Sequence, residues 1–118
     1  MNVKRGDVVL VDFPFQRGGG SKLRPGLVVQ NDLDNGRLLN TIVVQITGNI
    51  QRAGEATQVL IDTSTPDGQQ SGLQFDSVVN TVNIVTLDKN SVWRRLGQLP
   101  TSLMQKVNEA LMAALELS

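Results

Sequence analysis

The chain has 118 residues, 40% of them hydrophobic and 19% charged, with a formal net charge of zero, the size and composition expected of one globular domain with one main core. It contains neither cysteine nor histidine. Disulfides, thiolate metal sites and imidazole chemistry are therefore excluded, and any acid–base work falls to carboxylates, arginine, lysine, hydroxyls or water. No apolar run approaches about 18 residues and no signal-peptide pattern opens the chain, so the expectation is a soluble, cytoplasmic protein. The neutral total hides an uneven distribution: residues 1–25 carry Lys4, Arg5, Arg17, Lys22 and Arg24 against Asp7 and Asp12, while residues 26–90 are acidic. Nucleic-acid binding would have to come from such a local basic surface.

Val8 to Val11, after the turn-like Arg5-Gly6-Asp7, reads as a first strand ending near Phe13-Pro14. Gln16 to Lys22 reads as a flexible loop, and the spacing of Gly18-Gly19-Gly20 matches neither a P-loop nor a dinucleotide fingerprint. The loop delivers LRPGLVVQN, Leu23 to Asn31, with Leu27-Val28-Val29 as a second strand. Pro25 pushes Arg24 toward extended geometry at the strand mouth. There its guanidinium either offers a fixed fork of donors to a phosphate or carboxylate, or is an ordinary surface arginine. Asn31 to Gly36 reads as a polar turn signalled by Asn35-Gly36. Leu39 to Ile46 reads as a third strand running into Gln45-Ile46-Thr47-Gly48-Asn49, where Thr47 donates a hydroxyl to a ligand or caps the turn.

Gln58 to Ile61 reads as a fourth strand, Thr63 to Gly72 is turn-rich, Gln74 to Val79 and Asn83 to Leu87 read as two strands, and Val92 to Leu96 as a short seventh. Strands at this spacing, without helical patterns between them, favour an antiparallel barrel or sandwich. Leu103, Val107, Leu111, Ala114 and Leu115 lie on one apolar helical face. Ser102 and Gln105 have capping-box spacing behind Pro100. Such a helix lies on the barrel, or also contributes to a second subunit.

Asp76 in a strand-like segment wants a cationic or hydrogen-bonding partner, because an unpaired aspartate is costly to bury. Ser77 has no histidine and no nucleophile-elbow context, which argues against a serine hydrolase. Arg94 and Arg95 beside Trp93 would point to opposite faces of a strand. With Phe13, Phe15, Phe75 and Trp93 as the chain's aromatics, extensive base stacking is not expected.

Taken in order, RGDVVLVDFPF (Arg5 to Phe15), LRPGLVVQND (Leu23 to Asp32), QITGN (Gln45 to Asn49), SGLQFDSVV (Ser71 to Val79), TLDKN (Thr86 to Asn90) and RRLGQLP (Arg94 to Pro100) resemble the MazF/PemK toxins of bacterial toxin–antitoxin systems over essentially the full length. The resemblance implies a mainly β fold with a C-terminal α-helix, an SH3-like, partly open antiparallel β-barrel of the MazF/CcdB type, assembled as a homodimer. It implies a metal-independent, sequence-specific endoribonuclease cutting single-stranded mRNA, neutralised by a MazE-like antitoxin whose complex binds operator DNA. The family's catalytic arginine and threonine fall on Arg24 and Thr47. Arg17, Lys22, Asn49, Gln51, Asp76 and Ser77 are the expected RNA-binding residues, with the segments Phe15 to Lys22 and Gly48 to Gly54 as the recognition surface. Some relatives use an aspartate matching Asp76 with an arginine just before it. Here Gln74 and Phe75 stand at that place. Others have a histidine–glutamate pair in the first loop, where this chain has Arg17 and glycines.

RNA brings its own nucleophile, the 2′-hydroxyl, so the protein has to supply alignment, charge stabilisation and proton transfer. Arginine stays protonated and is a poor general base, so Arg24 is expected to stabilise phosphoryl charge. Thr47 is expected to bind a non-bridging oxygen or orient the 2′-hydroxyl. The different-class alternatives are a CcdB-like poison of DNA gyrase, which shares the general fold and has no nuclease activity, and an inactive barrel serving as an interaction module.

Overall fold

The computed structural model describes residues 1–13 and 22–118. Expectations that fall on the first loop, Arg17 and Gly18-Gly19-Gly20 among them, lie outside the described residues. The elements are β1 (Asp7–Asp12), β2 (Leu23–Val28), α1 (Asp32–Arg37), β3 (Asn40–Thr47), β4 (Gln58–Ile61), α2 (Pro66–Gln69), β5 (Ser77–Asp88), a short 3-10 turn (Lys89–Ser91), β6 (Val92–Gln98) and α3 (Thr101–Leu115). The strands form one six-stranded sheet in the order β4-β5-β3-β2-β1-β6, and each pairing is antiparallel.

The alternation of side chains along each strand sends valines and leucines to both faces. Val8, Leu27, Val44, Ile46, Val59, Ile61 and Val79 pack beneath α3, which contributes Leu103, Val107 and Ala110. Val3, Val9, Val11, Phe13, Val28, Val43, Leu87 and Val92 form a second cluster. Full burial of such a side chain stabilises the fold by about 1.5–3 kcal/mol before entropic costs.

The sheet curls into a partly open barrel, the SH3-like form expected from the sequence. Its edges β4 and β6 do not pair with each other. The segment after α2 covers β6 instead: the Gln98 N–H donates to the Gln70 carbonyl at 2.9 Å. Gly72, with φ of 73°, would place a Cβ 1.9 Å from the Leu96 carbonyl oxygen, and a Cβ on Gly97 would lie 2.3 Å from that of Gln70. Only glycine allows so close a backbone approach with a positive φ.

Three sequence expectations are corrected here. Asn31 to Gly36 is not a hairpin turn: Asn31 caps α1 by accepting the Asp34 N–H, and Asn35 is buried within that helix. Asn35 accepts from Gln30 Nε2 at 2.9 Å and Thr41 Oγ1 at 2.8 Å. These partners lie five and six residues from Asn35, outside the dipeptide that signals a turn. The two strands drawn at Gln74 to Val79 and Asn83 to Leu87 are one strand, β5, so the sheet has six strands and not seven. Pairing of Val44 with Ile84 but of Gln45 with Asn80 leaves residues 81–83 as a bulge. Finally, the capping box does not form at α3. Pro100 occupies the cap position without a side-chain bond, and Ser102 Oγ donates to Asp67 Oδ2 at 2.5 Å.

Basic residues near the N-terminus also divide in role. Arg5 is a structural clamp: its N–H donates to Asp32 Oδ1 at 2.7 Å, its Nε to the Val29 carbonyl at 2.8 Å and its Nη2 to Asn108 Oδ1 at 2.6 Å. The buried Asp7 carboxylate meets Arg95 Nε at 3.1 Å and accepts the Lys4 N–H at 2.9 Å.

Candidate active site

Arg24 and Thr47 come together through strand register. Gly26 of β2 pairs with Gln45 of β3, and Leu27 with Val44; Arg24 and Thr47 each lie two residues beyond the Gly26–Gln45 pair, at the same end of the strand pair. Period-2 alternation puts Arg24, Gly26, Gln45 and Thr47 on one face. Arg24, Gln45 and Thr47 line a cavity of about 520 Å³ whose lining also includes Phe13, Gly48, Gln74, Phe75 and Ser77. The Phe13 ring packs closely over Gly26, where a Cβ would lie 3.2 Å from it.

Arg24 is exposed and has no carboxylate or hydrogen-bond partner among the described residues. An unpaired guanidinium at a cavity mouth is suited to bind an oxyanion bidentately. The Thr47 Oγ1 accepts the Asn49 N–H at 3.1 Å, so its own hydroxyl hydrogen is left to donate elsewhere. Thr47 thus both caps the turn and faces the cavity; the two sequence readings are compatible. Asn49 Oδ1 accepts the Gln51 N–H at 3.1 Å, extending the turn. Asn49 and Gln51 are exposed and stand beyond the cavity, in a loop steadied by Arg52, whose Nη2 lies 2.9 Å from Glu55 Oε1. Lys22 is exposed at the mouth of β2.

Asp76 points to a different partner. Its Oδ1 accepts both the Thr63 N–H at 2.9 Å and the Thr63 hydroxyl at 2.8 Å, and the residue does not line the cavity. The partner that its sequence context demanded is therefore a threonine in the preceding loop. Ser77 is buried and donates its hydroxyl to the Phe75 carbonyl at 2.9 Å, holding the turn that carries Phe75. The Phe75 ring is 65% exposed and stacks against Gly48, where a Cβ would sit 3.0 Å from its Cε2. An exposed ring beside a cationic cavity is a platform for one base. Sequence reasoning missed Phe13, Gln45, Gln74 and Phe75 as site residues. The i, i+2 spacing of Gln45 and Thr47 in a strand was the available signal for Gln45.

The comparisons with known proteins fit this geometry. Residues 4–115 match the family described as PemK-like, MazF-like toxin of type II toxin-antitoxin system. The chain is 38% identical over 118 residues to Endoribonuclease EndoA of Bacillus subtilis (strain 168), covering 99% of this chain and 97% of that protein. It is 37% identical over 110 residues to Endoribonuclease MazF of Staphylococcus saprophyticus, covering 92% and 88%. A solved mycobacterial endoribonuclease in complex with its cognate antitoxin superimposes with a TM-score of 0.79 at 28% identity, covering 98% of this chain and 97% of that one. Mycobacterium tuberculosis toxin MazF-mt6 gives a TM-score of 0.77 at 26% identity, covering 95% and 98%.

Fold, site and relatives together define the class, a MazF-like endoribonuclease toxin, over the gyrase-poison alternative. The chain belongs to the PemK-like, MazF-like toxin family of type II toxin–antitoxin systems.

Proposed function

We propose that the protein cuts single-stranded mRNA sequence-specifically and without a metal ion, by attack of the substrate's 2′-hydroxyl on the adjacent phosphorus. The oxygen–phosphorus bond to the 5′ carbon's oxygen breaks, leaving a 2′,3′-cyclic phosphate and a 5′-hydroxyl. The observation that carries this reading is that Arg24, without a partner among the described residues, lines the same cavity as Thr47. Arg24 binds the phosphoryl oxygens as charge builds on the pentacoordinate phosphorus, where fixed donors act most strongly. Thr47 donates its hydroxyl to a non-bridging oxygen or to the attacking 2′-oxygen, setting the in-line geometry.

Bases splayed from a single strand can be stacked and read on their edges, which a duplex does not permit; Phe75 is positioned to stack one of them. Lys22, Asn49 and Gln51 extend this surface along the RNA strand, and Arg17 is proposed to bind RNA with them. The protein acts in the cytoplasm as a homodimer. An antitoxin like that of the mycobacterial relative neutralises it by laying an acidic, partly disordered segment along the cationic groove, and their complex binds operator DNA. Incubating the pure protein with a single strand and with the same sequence in a duplex, then sequencing the fragments' 5′ ends, tests the reading. Discrete cuts in the single strand alone are expected; equal cutting of both overturns it.

A further inference from the structure

Gln45 sits in a chain of side-chain amides that the cleavage chemistry does not use. Gln58 Nε2 donates to Asn80 Oδ1 at 2.9 Å. Asn80 Nδ2 donates to Gln45 Oε1 at 3.3 Å, and Asn83 Nδ2 donates to the same oxygen at 2.7 Å. The β5 bulge makes this possible by bringing Asn80 and Asn83 to one side chain of β3.

Amide orientation is ambiguous when every partner is another amide, but here one partner is not. The backbone N–H of Val82 donates to Asn80 Oδ1 at 3.2 Å, and a backbone N–H can only donate. That bond fixes Asn80 with its oxygen toward Val82 and its nitrogen toward Gln45. The Gln45 oxygen must then be the acceptor, and Asn83 a donor to it. Gln45 Nε2 has no acceptor among the described residues, and Gln45 lines the Arg24–Thr47 cavity.

We propose that Gln45 reads a base of the RNA substrate. Its oriented Nε2 donates to an acceptor on the base edge, a carbonyl oxygen or an unprotonated ring nitrogen, at a position next to the cut phosphate. The inference rests on the nuclease reading above and adds to it a specificity-determining residue. Holding the amide by two donors on its oxygen removes the alternative rotamer, so a base offering a donor there meets N–H against N–H. Such a mismatch leaves polar groups unpaired and is strongly rejected.

The test compares wild type, Gln45→Glu and Gln45→Met on a randomised single-stranded RNA pool, with fragment ends sequenced and thermal unfolding recorded for each protein. Wild type is expected to prefer acceptor-bearing edges at one position beside the cut. In Gln45→Glu that preference falls by about tenfold or more, toward bases offering an amino group; in Gln45→Met, of similar length without a donor, it flattens. A structural role alone changes rate and stability but not the base preference. Either folded variant keeping the wild-type preference at every position overturns the assignment. A folded wild-type protein that cuts no RNA overturns the nuclease reading instead.

Discussion

Arg24 and Thr47 line one cavity from the mouths of adjacent antiparallel strands, on the face defined by the Gly26–Gln45 pair. Neither side chain is committed to a structural ion pair among the described residues, and Thr47 retains a donor hydrogen while it caps its turn. Removing either is therefore expected to affect reaction more than folding. Arg24→Ala should lower kcat by about 100- to 1,000-fold, as loss of one oxyanion-type donor does, while unfolding free energy shifts by no more than about 0.5 kcal/mol for this exposed position. Thr47→Ser should retain most activity and Thr47→Val should not. Single-turnover cleavage and urea unfolding on the same preparations check both.

Asp76 gives the opposite expectation. Its carboxylate clasps Thr63 through two hydrogen bonds, joining the loop after β4 to the entry of β5. Asp76→Ala should cost about 1–2 kcal/mol of stability and slow cleavage far less than Arg24→Ala does, because the carboxylate does not line the cavity. A larger kinetic loss in a fully folded variant would assign the carboxylate a direct role. Denaturant titration alongside initial rates separates the two.

Gly72 packs its backbone against the edge strand β6. With φ of 73° and a Cβ position 1.9 Å from the Leu96 carbonyl oxygen, Gly72→Ala forces backbone apart as well as straining its own residue. A loss of about 2 kcal/mol or more is expected, seen as a lower Tm. Gly54→Ala is the control, since a Cβ there meets nothing within 4 Å.

Stability should fall in acid through a small set of carboxylates. The Arg5 backbone N–H, and next the Asn35 side chain, hold Asp32 below the usual aspartate range. The Asn31 side chain does the same for Asp34, Arg52 for Glu55 and the Ser64 hydroxyl for Asp62. A folded pKa below the unfolded one contributes stability that is complete above the unfolded value, about 4, and is lost as pH drops through the folded value. Urea midpoints should therefore be flat from about pH 7 to 5 and decline below about pH 4. Asp32→Asn should reduce that decline. A loss of stability centred between about pH 6 and 7 would contradict the scheme, because no histidine is present to titrate there.

Much of this was legible in the chain because local pattern decided it. Short continuous apolar runs marked β1 and β3, apolar spacing marked α3, and an arginine held extended by Pro25 marked the strand mouth. What was not legible depended on which partners the fold brings to each side chain. Asn35-Gly36 signals a turn by itself, yet Gln30 and Thr41 bury the asparagine inside a helix. The break seen between Val79 and Asn83 was real, but it is a bulge within β5 and not a strand end. Ser102 had capping-box spacing, and Asp67 took its hydroxyl. At the site, Arg24 and Thr47 stood out by type and motif; Gln45 had only its i, i+2 spacing from Thr47, and Phe75 acquires meaning only from the close contact at Gly48.

The central claim is that Arg24 stabilises charge in a reaction whose nucleophile is the substrate's own 2′-hydroxyl. Its most direct measurement is the chemistry of the ends formed from a short single-stranded RNA cut in excess chelator, beside the same RNA carrying a 2′-deoxy sugar at the cut nucleotide. The account expects a 2′,3′-cyclic phosphate and a 5′-hydroxyl from the first and no cut at that position in the second. A 5′-phosphate product, cleavage of the deoxy substrate, or a strict need for a divalent ion would contradict it.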